Sequence, residues 1–415
     1  MDRGISPRVS STCRTWLEPD MTIGRALLLE GIHPDAEPIL GDAGLEIARE
    51  AGALSEEALD AALEGVTVLG LRSKSRITPD LLDRHPDLLA VGCFCIGTDQ
   101  LDLRDAARRG LAVFNAPFSN TRSVAELTIA EIVGLHRRLG DRSRELHDGV
   151  WRKSATGAHE VRGRTLGIVG YGHIGSQVSV LAEAFGMRVL YHDTAPKLAL
   201  GNAQPVDSLD LLLAESDVVS LHVPDEPSTR GLLGAEEIDR MRPGAMLINN
   251  ARGSVVDLEA LAAALRDGRI GGAAVDVYPS EPKRNDDPFG TPLAGLPNVI
   301  LTPHIGGSTE EAQAAIARDA ANKLVRYLVE GSTRTSVSVP EVDLPSPKPD
   351  RHRILHFHRN VPGVLGRMHT LLAEIDANIA AEYLQSDPEV SYVILDVESK
   401  SVDDAAERMR SIPET

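Results

Sequence analysis

Three apolar runs in the second half of this chain end on polar groups. AMLINNARG carries Arg252, GGAAVDV carries Asp276, and NVILTPHIGG carries His304. Glu281 follows on a proline-flanked loop, VYPSEP. His304 stands where a strand must stop, because proline removes a ladder donor and paired glycines let the backbone turn sharply. In open α/β sheets ligands bind beyond the carboxyl ends of the strands, so consecutive strands would deliver these side chains to one crevice. The set suits hydride chemistry at a carbinol carbon. An imidazole can hold or release the hydroxyl proton near neutral pH. A carboxylate on its other nitrogen, for which Glu281 is the candidate, would fix the tautomer and favour the charged form. Arg252 can clamp a carboxylate through paired donors and polarise the neighbouring carbonyl. Asp276 fits a contact to a cofactor carboxamide or the orienting of the crevice. Each also has a plainer reading: a structural ion pair for Arg252, a solvated loop carboxylate for Glu281, a helix cap for His304.

A cofactor motif lies upstream. TLGIVGYGHIGSQV places Gly170, Gly172 and Gly175 as G-x-G-x-x-G directly after an apolar run and into a helical stretch. The first glycine permits the tight turn, the second lets the backbone approach a pyrophosphate, and the third lets helix and strand pack closely. The helix N-terminus then offers N–H donors and positive potential to phosphates. Asp193 closes the next strand, RVLYHD, at the distance of about 20 residues that the fingerprint requires. A carboxylate there accepts from ribose hydroxyls and repels a 2′-phosphate, which favours NAD over NADP.

Positioning these residues takes a doubly wound sheet. From Arg164 the runs TLGIVG, RVLYHD, DVVSLHV, AMLINNA, GGAAVDV and NVILTPH alternate with amphipathic stretches, the pattern of a parallel Rossmann sheet with crossover helices. An earlier series, RALLLEG, TVLGLRS, LLAVGCFC and LAVFNAP, predicts a second parallel sheet. A long helix is expected over 123–146 and another over 308–330. GSTRTSVSVPEVDLPSPKPD reads as a linker, rich in proline and poor in large apolar residues. The last segment reads strand, helix, hairpin strand, strand, helix, a small α+β ferredoxin-like unit whose closing strand is missing or vestigial. Residues 1–21 read as a loose tail, with Met21 as an alternative start.

Composition narrows the classes. A chain of 415 residues suggests two or three domains. Its formal charge of −18 disfavours nucleic acid and anionic membrane as partners. No apolar run approaches the roughly 20 residues of a membrane span, and the N-terminus lacks the apolar core of a signal peptide. Cys13, Cys93 and Cys95 make no disulfide framework and no metal cluster. A reducing, cytoplasmic setting fits.

The stretches GYGHIG, SLHVP, NARGSVVD, AAVDVYPSEP and LTPHIGGST, with GCFCIGTDQ and NAPFSNTRSVAEL before them, resemble the D-isomer-specific 2-hydroxyacid dehydrogenases. Within that family the resemblance is to enzymes that oxidise 3-phospho-D-glycerate to 3-phosphohydroxypyruvate, the entry to serine synthesis, some of which also reduce 2-oxoglutarate. It implies Arg252, Glu281 and His304 as catalytic residues. It implies His173, Ile174, Asp193, Asn250, Ala251, Arg252, Asp276, His304, Ile305, Gly306 and Gly307 as nucleotide contacts, although similar proteins often carry a small residue or serine at position 250. A split, flavodoxin-like substrate domain follows (22–118 with 308–332), around a Rossmann domain (119–307), a linker (333–350) and a regulatory ACT domain (351–415). Arg72, Ser73 and Lys74, in a basic cluster suited to a phosphate, would bind substrate with Asn120 and Lys153. His358, Asn360 and Asn378 match positions that hold serine at subunit interfaces, which implies a homo-oligomer. A dehydrogenase for an unphosphorylated 2-hydroxyacid and an NAD-sensing scaffold are the alternatives.

Overall fold

The computed structural model describes residues 13–14, 24–282, 287–348, 351–398 and 402–415. The chain divides into two compact units, one made of 1–119 with 313–415 and the other of 120–312.

The first unit begins with β1 (Cys13–Arg14), β2 (Gly24–Leu28), α1 (Ala36–Asp42), β3 (Leu45–Arg49), α2 (Glu56–Ala62) and β4 (Val68–Leu71). It continues with α3 (Pro79–Arg84), β5 (Ala90–Cys93), α4 (Leu103–Arg108) and β6 (Ala112–Asn115). Ser55, Thr78 and Asp102 cap α2, α3 and α4 by accepting from backbone N–H groups of the first turn. A five-stranded parallel sheet runs β3-β2-β4-β5-β6. Its central strands β4 and β5 are buried on both faces, which is why they read as unbroken apolar runs. β3 was not legible in that way, because it is an edge strand of mostly half-exposed residues. Cys93 is a core thiol, and burial raises its pKa far above the usual range.

The second unit holds α5 (Thr121–His136), α6 (Leu139–His147), β7 (Thr165–Val169), α7 (His173–Ala184), β8 (Arg188–His192) and β9 (Gln204–Pro205). After these come α8 (Leu209–Glu215), β10 (Val218–Leu221), α9 (Ala235–Arg240), β11 (Met246–Asn249), α10 (Leu258–Arg266), β12 (Gly272–Val275) and β13 (Val299–Leu301). The sheet order β13-β12-β11-β10-β7-β8-β9 reverses direction between β7 and β10, the switch point at which such sheets bind ligands. The six strands expected are present, with β9 added beyond β8. The expected long helix is two. Arg138 adopts φ +51° between α5 and α6, and its guanidinium pairs with Asp141 at 3.0 Å.

α11 (Glu310–Glu330) leads back into the first unit, where Ile316, Ala320, Leu324 and Tyr327 join the core on one face of the five-stranded sheet. The supposed linker is not a free connection. Val337 donates its N–H to Val113, and Val339, Val342 and Leu344 are buried in the same core. The terminal part follows as β14 (His352–Arg359), α12 (Val364–Glu374), β15 (Asn378–Ser386), β16 (Val390–Glu398) and α13 (Val402–Arg410). It shares its apolar centre with the five-stranded sheet: Leu355, Phe357, Tyr392 and Ile394 cluster with Ala107 and Phe114. Gly110, at φ +67°, leaves just enough room for Phe357, since a Cβ there would meet that side chain's Cβ at 3.0 Å. Arg353 and Asp396 form a buried bidentate ion pair, and Arg353 also donates to the carbonyls of Glu330 and Pro345.

Two expectations about the chain ends change. The terminal sheet has four strands, ordered β1-β14-β16-β15. The closing position is filled by Cys13 and Arg14, paired antiparallel with His356 and Leu355. These two residues are therefore part of a sheet, while the rest of the supposed tail lies outside the described residues.

Candidate active site

β11, β12 and β13 lie side by side with Asn249, Val275 and Leu301 in register. The residues that follow each strand therefore leave the same edge of the sheet, and Arg252, Asp276 and His304 are among them.

Asp276 is buried, and its carboxylate organises the turn after β13. One oxygen accepts from the Thr302 hydroxyl (2.5 Å) and the Ile305 N–H (2.8 Å), the other from the Gly306 N–H (2.8 Å). The turn in question places His304 at φ +55°, a left-handed conformation that a non-glycine residue holds only when its surroundings impose it. His304 Nδ1 then meets Glu281 Oε2 at 2.8 Å. The other Glu281 oxygen accepts from the Tyr278 N–H at 3.1 Å. Bonding to Glu281 raises the His304 pKa above the usual imidazole value and outweighs burial, which acts the other way. Burial alone would raise the Glu281 pKa, but the His304 bond and charge, the Tyr278 N–H and Arg252 together lower it.

Arg252 is half-buried and lies close enough to act electrostatically on both partners. Its Nη1 donates to the Ala251 carbonyl at 2.8 Å. Asn249 braces the same segment, its Oδ1 accepting from the Ala251 N–H and its Nδ2 donating to the Arg252 carbonyl. Gly253 must be glycine, because a Cβ there would come within 2.0 Å of the Tyr278 carbonyl carbon. That close approach sets the Arg252 segment against the loop that carries Glu281.

The nucleotide cradle fits the cofactor expected for it. Gly170 sits at φ +90°, and a Cβ on it would collide with the His222 carbonyl at 2.6 Å. A Cβ on Gly175 would meet the Gly170 carbonyl at 2.2 Å, whereas Gly172 faces open space. Turn, helix packing and room for a pyrophosphate are thus each present. α7 begins at His173 with Ile174 next, its N-terminus lacking a side-chain cap. Asp193 is held at the tip of β8 by accepting from the Tyr171 and Ala195 N–H groups.

The Asn250 side chain turns back into the protein, donating to Glu131 Oε2 (2.7 Å) and Thr128 Oγ1 (3.1 Å) on α5. Only its backbone is left for a nucleotide. Glu131 was not anticipated from sequence, nor was Glu30, whose carboxylate accepts from the Lys74 and Ser75 N–H groups and so shapes the basic loop after β4. Arg72 is half-buried and Ser73 and Lys74 are exposed on that loop, in the first unit. Asn120 is buried and Lys153 exposed, both in the second unit with Arg252, Glu281 and His304.

A family model for the D-isomer specific 2-hydroxyacid dehydrogenase NAD binding domain matches residues 129–306. One for an ACT domain like that of the AHAS small subunit matches 354–415. D-3-phosphoglycerate dehydrogenase from Haemophilus influenzae is 50% identical over 94% of this chain and 95% of its own. The enzymes of that name from Escherichia coli K12 and Dictyostelium discoideum are 49% and 48% identical, with the same coverage. The chain belongs to the D-3-phosphoglycerate dehydrogenase family. Like other members it is an oxidoreductase that uses NAD. Its fold is also that of a Thermus thermophilus protein of 36% identity (TM-score 0.68; 75% of this chain, 99% of the other). D-lactate dehydrogenase from Aquifex aeolicus, solved with NAD and lactic acid, is similar at 29% identity (TM-score 0.65; 73% of this chain, 95% of the other).

The effector residues expected of a D-3-phosphoglycerate dehydrogenase do not meet within one chain. His358 is buried, its Nδ1 3.4 Å from that of His356. Asn360 sits by the β15–β16 turn, donating to the Asp387 carbonyl. Asn378 opens β15 and donates to Glu398. The register Asn378↔Glu398 and Arg359↔Val390 puts the two asparagines at opposite ends of β16, roughly 26 Å apart at 3.3 Å per residue.

Proposed function

We propose that this protein catalyses the NAD-dependent oxidation of 3-phospho-D-glycerate to 3-phosphohydroxypyruvate, the first step of L-serine biosynthesis, through Arg252, Glu281 and His304. The observation that carries the assignment of roles is the 2.8 Å bond between His304 and Glu281 beside Arg252. Glu281 holds Nδ1, which leaves Nε2 to take the C2 hydroxyl proton in oxidation and return it in reduction. Arg252 clamps the substrate carboxylate and stabilises the developing carbonyl dipole. NAD, when bound, supplies the hydride acceptor. Gly170, Gly172 and Gly175 admit its pyrophosphate, Asp193 takes the ribose hydroxyls, and the backbone of 250–251 and 305–307 lines the nicotinamide end.

The substrate phosphate is the proposed ligand of Arg72, Ser73 and Lys74, with Asn120 and Lys153 lending further contacts. Reduction of 2-oxoglutarate is a proposed second activity. The protein works in the cytoplasm as a homo-oligomer, a tetramer or dimer. L-serine is its effector, bound between copies, which accommodates the separation of Asn360 from Asn378. Among the described residues, no helix is long and apolar enough to cross a membrane.

The test is NAD(H) turnover on 3-phosphoglycerate, 2-oxoglutarate and unphosphorylated hydroxyacids, with and without serine. His304→Ala is expected to lower kcat by about a thousandfold while NADH binding persists. Undiminished turnover in that variant, or preference for an unphosphorylated acid, overturns the assignment.

A further inference from the structure

The proposed mechanism leaves one buried acid unused. Glu131, on α5, is 3% exposed. Its Oε2 accepts from Asn250 Nδ2, while its Oε1 is buried without a partner among the described residues. The amide orientation of Asn250 is imposed from outside. The Thr128 hydroxyl donates to the Val124 carbonyl at 2.9 Å, so toward Asn250 it can only accept. The NH2 group must therefore face both Thr128 and Glu131.

Asn250 ties the end of β11 to α5 by hydrogen bonds, where Met246 and Ile248 already pack on that helix. The peptide beyond it carries the carbonyl that anchors the Arg252 guanidinium. Asn249 braces that peptide within the same segment, and Asn250 is what fixes it against α5. Ala251, whose carbonyl meets the Arg252 guanidinium, is next in the chain to Asn250, so a displaced Asn250 would bear on that carbonyl.

We infer that Glu131 and Asn250 form a positioning pair that sets the Arg252 guanidinium for the substrate carboxylate. The inference rests on Arg252 being that clamp. Asp276 is the other acid whose charge reaches Glu131, and burial pushes the Glu131 pKa up to about 7. Loss of the amide donor would leave buried acceptors facing one another, a cost large enough to displace the segment.

Reversing the polarity of the pair is the experiment. Asn250→Asp sets a carboxylate against Glu131, so that both cannot be ionised together. KM for 3-phosphoglycerate is expected to rise about tenfold, more at high pH than at low, and by more than any loss of NADH affinity, since the same segment also borders the nucleotide. Glu131→Gln alone keeps an acceptor for Asn250 and should stay near the parent. Combined with Asn250→Asp it restores a donor–acceptor pair in the opposite sense, with the Thr128 hydroxyl turning from the Val124 carbonyl to donate to the new carboxylate, and much of the KM should return, with its extra pH dependence gone. NADH fluorescence titration and thermal melting establish that each variant is folded. If Asn250→Asp fails to fold, Glu131→Ala set against Glu131→Gln serves instead, with a raised KM expected only for alanine. A double variant no better than Asn250→Asp, or an Asn250→Asp variant with the parent KM at every pH, overturns the inference. Arg252→Ala separates the two levels. A raised KM there with none in Asn250→Asp defeats only the positioning pair, whereas an unchanged KM in Arg252→Ala defeats the role given to the arginine.

Discussion

His304 Nδ1 lies 2.8 Å from Glu281 Oε2 on a backbone held at φ +55° by the turn bonded to Asp276. The carboxylate makes the imidazolium easier to form and keeps the ring from turning away. Oxidation consumes the neutral ring and reduction the charged one, so the two directions respond oppositely to pH.

Because Glu281 raises the His304 pKa, kcat/KM for oxidation should climb as pH passes through that raised value, and the reductive rate should fall over the same range. Glu281→Gln removes the charge. The midpoint should move to lower pH in both directions, and kcat should drop about a hundredfold. Rate profiles against pH decide this, and an unmoved midpoint would detach Glu281 from the titration.

Cofactor choice should reside at the tip of β8. Asp193→Ala is expected to lower the NAD-over-NADP ratio of kcat/KM by about tenfold or more, because the carboxylate that repels a 2′-phosphate is gone. Asp193 also accepts from Tyr171 and Ala195, so Asp193→Asn, which keeps an acceptor, should melt higher than the alanine variant. Parallel assays with both nucleotides and thermal melting measure the two effects.

Stability should depend on the ion pair under the terminal sheet. Arg353→Met leaves the buried Asp396 carboxylate alone and is expected to cost about 3–5 kcal/mol. Arg353→Met with Asp396→Leu should recover much of that loss, since an apolar pair of similar volume replaces both charges. Urea unfolding of the two variants checks it, and equal losses would show that the bonds from Arg353 to Glu330 and Pro345 carry the stability instead.

Much of the architecture was written where burial is two-sided. β4, β5, β7, β10, β11 and β12 read as continuous apolar runs because neither face meets water. β3 and β9 escaped notice for the opposite reason, being an edge strand and a Gln-Pro pair. The break at Arg138 had no proline or glycine at the residue itself to announce it. Val339, Val342 and Leu344 stand among four prolines, although their spacing suffices to bury them. At the site, residues following parallel strands were legible because topology carries them to one edge. Glu131 was not, since a lone acid on a helix looks like a solvated one. The signal was its company: Val124, Thr128 and Leu135 on the same helical face are buried with it.

The pairing of Cys13 and Arg14 with β14 brings two parts of the chain far apart in sequence onto one strand, since Arg359 on it also donates to the Glu414 carbonyl. Cloning boundaries consequently matter for assembly. A shortened version starting at Met21 would leave the backbone of Leu355 and His356 without its strand partner, and a bared edge recruits neighbours, whether as exchanged segments between copies or as stacked aggregates.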